Sequence, residues 1–125
     1  FMAGDELSGE RMYVAYDTQG QEDEHSCFSD MTHMDIIWNY QGIAEVIRST
    51  EILELPAVKD TEVAERVRAR LQSLPPLLAS IPVPFDQAIV NEEGRSVILH
   101  SVEELEALAH DLVEVADLLG VKIDY

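Results

Sequence analysis

Hydrophobic positions along this chain recur at three- and four-residue steps rather than alternating, the mark of helices with one buried face. From Gly4 to about Tyr16 helix formers dominate, with Leu7, Arg11 and Val14 on one stripe. Asp5 and Glu6 stand near the N-terminal end, where the helix dipole favours acids. Thr18 to Cys27 has no periodicity and contains Gly20, so a loop is expected. Ser29 or Asp30 is placed to cap a second helix running to about Arg48, because either side-chain oxygen reaches the open N–H groups of a first turn. Projected at about 100° per residue, that helix gathers His33, Ile36, Ile37, Tyr40, Ile43, Ala44 and Ile47 on one broad core face. Its other side holds Met31, Met34, Asp35, Trp38 and Gly42. A Trp with two Met turned away from the core implies that something covers them.

Glu51 to Lys59 reads as a connection broken by Pro56, after which Asp60 is the expected cap of a third helix carrying Val63, Val67, Leu71 and Leu74. Arg66, Arg68 and Arg70 decorate its other sides. Pro75-Pro76 are expected to disrupt this helix, since a proline removes a donor and clashes with the preceding turn. Pro82 and Pro84 stiffen a passage to a short apolar segment around Phe85 to Val90, and Asn91-Glu92-Glu93-Gly94 is expected to turn the chain. Val97 to Leu99 is the one strand-like run. Ser101 with Glu104 has the spacing of a capping box, followed by Leu105, Leu108, Leu112, Ala116 and Leu119, with Gly120 as the stop. The predicted fold is all-α: one domain over residues 1–125, an antiparallel bundle of about four main helices.

Charge narrows the partners. With 25 acidic and 8 basic side chains the net charge is -17, so nucleic acid and anionic membrane surfaces are repelled. Most of these carboxylates are expected to be solvated faces. Cys27 is the chain's one cysteine, so no disulfide closes within it and the compartment is not readable from cysteine use. No apolar run approaches the roughly 20 residues of a transmembrane helix, and no basic-then-apolar signal peptide is present. The opening Phe1-Met2-Ala3-Gly4 is expected to belong to the interior of a longer polypeptide or a processed one.

Candidate chemistry concentrates between Glu22 and Asp35, read as EDEHSCFSDMTHMD. Glu22, Glu24 and His25 fall in the loop, while Asp30, His33 and Asp35 fall in the first turns of the second helix, with Asp30 and His33 three apart and therefore side by side. Imidazole nitrogen with carboxylate oxygen suits iron, zinc or manganese, and a folded-back loop could bring His25 to the helix end. The same residues also read as an N-cap at Asp30, a hydrogen-bonded core histidine at His33 and solvated charge at Glu22 to Glu24. There is no HExxH, no paired CxxC and no ExxH on this helix to decide between the two. Met31, Met34 and His33 also offer softer copper ligands, a weaker case because helical Met generally packs. Ser26, Ser29 and Thr32 lack nucleophile-elbow glycines, and the acids around Cys27 would raise its pKa rather than activate it.

Taken together, Glu6-Leu7-Ser8-Gly9-Glu10-Arg11-Met12, the run Glu22 to Asp30, Thr32-His33 and Gly42-Ile43 resemble the second half of imelysin-like proteins in order and spacing. The remaining helices match more loosely, with an ending of the type Leu-Gly-Val-Lys-Ile. The resemblance implies one half of a fold of two packed helical bundles, in a periplasmic or cell-surface bacterial protein associated with iron acquisition. It implies a metal- or ligand-binding module whose site lies at the interface with an N-terminal half, supplied by the same protein or a second chain. Glu24, His25, Asp30 and His33 are then the metal positions, with iron or zinc favoured over copper. Glu10, Arg11, Glu22 and Asp35 become ligand-binding or supporting positions, and Met31, Met34, Trp38 and Gly42 an interface. The family also carries a peptidase label, which leaves a metal-dependent hydrolase as an alternative to a non-enzymatic binding module, and a purely structural module as a third. The family's Gly-x-His-x-x-Glu motif, placed in its first half, does not occur here. Met31 stands where many relatives have Asn, Met34 replaces a commonly polar residue, and Ala44 to Arg48 replaces a Tyr- and Gly-containing continuation.

Overall fold

The computed structural model describes residues 1–20 and 32–123. Among them the elements are a π-helix at Met2–Tyr13 continued by α1 (Val14–Thr18), then α2 (Thr32–Ser49), a 3-10 turn at Ile52–Glu54, α3 (Glu62–Ala79), a short α4 (Phe85–Ala88) and the long α5 (Glu92–Leu118). No strand occurs among the described residues.

The first helix begins with the wider i→i+5 ladder, in which Glu6 N–H bonds the Phe1 carbonyl and Val14 N–H bonds the Gly9 carbonyl. This changes which residues face inward. A longer turn brings Ala3, Leu7, Ser8 and Met12 to the core, at four- and five-residue steps, whereas the expected stripe of Leu7, Arg11 and Val14 leaves Arg11 half-buried and Val14 exposed. Ser8 Oγ donates back to the Gly4 carbonyl, so its buried hydroxyl is satisfied.

The π-helix packs on α5 and α2, and α3 packs on the same two helices from the other side. Paired residues give the directions. Gly4 lies against Ala109 and the Tyr16 carbonyl against Arg95; Ile37 shares a surface hollow with Leu78 and Ile47 one with Leu71; Arg66 reaches Glu114 and Arg70 reaches Glu104. Each neighbouring pair therefore runs antiparallel, and the four long helices occupy the corners of a square with α2 diagonal to α5. Ile36, Tyr40, Ala44 and Ile47 of α2, Val63, Val67, Leu71 and Leu74 of α3, and Ile98, Val102, Leu105, Leu108 and Val115 of α5 fill the centre. His33, Ile37 and Ile43, expected on the core face, are half-buried at its margin.

Five local expectations are corrected. Thr61, not Asp60, caps α3: its side chain accepts from Ala64 N–H. Asn91 to Gly94 is not a turn but the start of α5, with Asn91 Oδ1 accepting from Glu93 and Gly94 N–H at 2.9 and 3.2 Å. Ser101 and Glu104 are therefore mid-helix; Ser101 is buried and its Oγ donates to the Val97 carbonyl at 2.8 Å. The strand-like Val97 to Leu99 belongs to the same helix. A back-bonding serine satisfies its own hydroxyl inside a helix, which a capping pattern alone does not reveal.

The fifth correction concerns Pro75-Pro76, through which α3 runs without a break to Ala79. Proline at 75 removes the amide that would bond the Leu71 carbonyl four residues earlier. Tyr40 supplies the substitute: its hydroxyl, buried in the core, donates to that carbonyl at 3.0 Å. Buried Leu74 and Leu78 hold the two sides of the proline step against the core. The stop at the other end of α5 is as expected. Gly120 takes a positive φ of 73°, Val121 N–H bonds the Ala116 carbonyl and Gly120 N–H the Asp117 carbonyl, the double closure of a Schellman motif.

Tyr40→Phe is expected to cost about 1.5 kcal/mol at neutral pH, since it leaves the Leu71 carbonyl unpaired in the core. Burial raises the Tyr40 phenol pKa, and nearby Arg48 only partly offsets this. The folded chain thus holds the phenol proton more tightly than the unfolded one. The Tyr40 contribution is whole below the unfolded phenol value of about 10 and is lost as pH rises through the folded value. Urea midpoints should show the gap between the parent and Tyr40→Phe closing above that pH; a gap that stays constant would rule out the assignment.

Candidate functional site

Of the sequence-predicted site, the described residues His33 and Asp35 lie in the first turn of α2. Thr32 opens the described part of α2 and is buried, and His33 follows, half-buried. The Nδ1 of His33 is buried and has no hydrogen-bond partner among the described residues. Such an atom is uncommon, because a buried ring nitrogen ordinarily finds a donor or acceptor. Asp35 lies half-buried in the same turn, where Asn39 Nδ2 donates to its main-chain carbonyl at 2.7 Å.

Of the other metal positions, Glu24, His25 and Asp30 lie outside the described residues, as do Glu22 and Met31. Among the described residues no group of three or more His, Cys, Asp or Glu side chains is close enough to hold a metal ion. Glu10 is exposed on the π-helix, and Arg11 is half-buried with its guanidinium 3.4 Å from Glu6. Met34 is half-buried, Trp38 is 52% exposed, and a side chain at Gly42 would meet nothing within 4 Å. The face of α2 carrying Trp38 and Gly42 is thus open to solvent.

The sequence model of the Imelysin family matches residues 2–112, from the first residue of the π-helix to the far turns of α5. The chain belongs to the imelysin family. Its helical architecture is that of the family, and no curated protein matches it closely enough to lend a more specific activity. No described helix of this imelysin chain is long and apolar enough to cross a membrane.

Two polar clusters that hold the site's scaffold escaped the sequence reading. Arg95 Nη1 donates to the Tyr16 and Ile89 carbonyls, both at 2.7 Å, and its guanidinium stacks 4.1 Å above the Tyr16 ring. One side chain thereby fixes the end of α1 to the start of α5. On the opposite side, Asp111 is buried and accepts from Arg66 Nε at 3.0 Å and Arg70 Nε at 2.9 Å. Glu114 and Glu104 complete the forks at 2.8 and 2.7 Å. The hydrogen bonds to Asp111 come first in holding both guanidinium groups more firmly protonated. The signal was available: Asp111 sits in the apolar stripe of α5 between Leu108 and Val115, and Arg66 and Arg70 share one face of α3 at four-residue spacing.

Proposed function

We propose that this imelysin-family chain is a non-enzymatic metal- or ligand-binding module of a bacterial iron-acquisition protein working in the periplasm or at the cell surface. One observation supports the reading most: the buried Nδ1 of His33 has no hydrogen-bond partner among the described residues, at the helix start next in sequence to the acidic EDEHSCFSD run. An imidazole nitrogen held out of water is a ligand of the kind iron and zinc take. Glu24, His25 and Asp30 join His33 as metal positions, and Glu10, Arg11, Glu22 and Asp35 bind or orient around them. The described residues do not by themselves make a complete ligand set, so the site is completed by the run before α2 and by a second helical half packed over it. Met31, Met34, Trp38 and Gly42 serve as the contact for that half.

Titration calorimetry with ferrous iron and with zinc tests this. Binding should be weak or undetectable for this chain alone and tight once the partner half is present. His33→Ala and His25→Ala in the assembled protein should each weaken it by about 10-fold or more. Equal affinity in the parent and both variants would overturn the assignment. Peptide turnover abolished by a chelator and by Glu24→Gln would replace it with metal-assisted hydrolysis.

A further inference from the structure

At the end of the bundle away from His33, the square of helices is open at one corner. The π-helix corner reaches Phe1 and Met2, which lie beside Ile43 of α2 and Ala109, Leu112 and Val113 of α5. Both α2 and α5 continue past that level, to Ser49 and Leu118. Between their last turns runs a groove of about 560 Å³, walled by Val46, Thr50, Leu55, Leu112, Ala116 and Val121 among others. Thr50 is the one polar residue of the lining. Val46 is 62% exposed and Val121 54%, so apolar surface that would be core elsewhere in the bundle here meets solvent.

We propose that this groove docks a helix of a second polypeptide, apolar along one stripe and basic on its flanks. A helix is the element that fits, because the groove, walled by the last turns of α2 and α5 and the segments that follow them, continues the corner at which the π-helix lies against both. The small side chains of Thr50 and Ala116 allow a close approach. Charge selects the partner. Exposed Glu45, Glu51, Glu54 and Asp117 adjoin the lining residues in sequence, against Arg48 and Lys122, on a chain of net charge -17. A second copy would bring the same charge to the same face and be repelled, whereas Lys or Arg flanks would be drawn in. The groove lies past the end of α2, whereas His33 stands at its start, so the inference is independent of the metal site.

The probe is a fluorescein-labelled amphipathic peptide of about five helical turns with Leu and Ala on one stripe and Lys on the flanks. Anisotropy at physiological salt should show saturable one-to-one binding, with a version carrying Glu in place of Lys at least about 10-fold weaker. Val46→Asp should cost about 10-fold or more, while Val83→Asp, at a site 60% exposed and outside the groove, should change affinity by less than about 2-fold. Both positions are solvent-facing, and an unchanged helical circular dichroism spectrum would confirm that each variant folds. No saturable binding, equal losses in the two variants, or equal affinity for the acidic peptide would overturn the proposal. So would sedimentation showing that the chain pairs with itself through Val46.

Discussion

Replacing Gly94 with alanine is expected to lower the stability of the fold by about 3 kcal/mol, because the added methyl has nowhere to go. A Cβ at this position would stand 2.5 Å from the Ala88 carbonyl oxygen and 2.7 Å from the Ala88 Cα. These are main-chain atoms of α4, which cannot rotate aside as a side-chain tip would. Relief therefore requires α4 and the first turn of α5 to separate. That movement pulls on the Asn91 cap, whose Oδ1 accepts from the Gly94 amide itself, and a cap is worth about 1 kcal/mol. It also pulls on Arg95, the next residue, which binds the Ile89 and Tyr16 carbonyls. Gly42→Ala is the matched control: it is exposed, in α2, with nothing within 4 Å of the new methyl. There alanine should stabilise by about 0.5–1 kcal/mol through helix propensity. Thermal melts should place the two variants on opposite sides of the parent, with Gly94→Ala lower by about 10 °C. A Gly94→Ala midpoint equal to that of the parent would show that the α4–α5 corner is not tightly packed.

Apolar periodicity made the bundle legible because it reports burial directly. Ile36, Tyr40, Ala44 and Ile47 of α2 and Val63, Val67, Leu71 and Leu74 of α3 are buried as their spacing indicated. It misled where a local rule met a tertiary partner. Pro75-Pro76 reads as a break to anyone who cannot see Tyr40, whose hydroxyl comes from a helix 31 residues away along the chain to bond the exposed carbonyl. Ser101-Val-Glu-Glu104 reads as a helix start until the serine is found donating backward to Val97. The first helix was placed correctly but with the wrong period, since sequence patterns assume 3.6 residues per turn and the i→i+5 ladder takes more. For the candidate site, the sequence named His33, while only the structure revealed its buried nitrogen without a partner among the described residues. The family itself was legible for a different reason. The Glu22 to Asp30 run is distinctive as a string of residues, and a string can identify relatives without fixing where its side chains sit.

The second large effect is expected at Asp111, the one carboxylate placed in the apolar stripe of α5. Asp111→Ala should cost about 2 kcal/mol, a figure below that of two fully buried charged hydrogen bonds because Arg66 and Arg70 keep contact with water, which screens them. The loss has two parts. Two charge-assisted bonds that tie α3 to α5 disappear, and two guanidinium groups a helical turn apart lose the anion between them. Glu104 and Glu114 continue to hold the outer edges of the forks, so the helices should remain docked and the chain folded. Asp111→Asn keeps the shape and removes the charge, and its effect should fall between the parent and the alanine variant. Coupling separates this account from a simple packing defect. In an Arg70→Ala background, Asp111→Ala should lose roughly 1 kcal/mol of its effect, since one of its partners is already absent. If urea midpoints show the same penalty in both backgrounds, the carboxylate is not acting through Arg70 and the network is a set of independent contacts. Added salt offers a further discrimination: Asp111 is buried although its partners touch water, so its penalty should fall less at 0.5 M salt than that of an exposed pair such as Arg68 with Glu54.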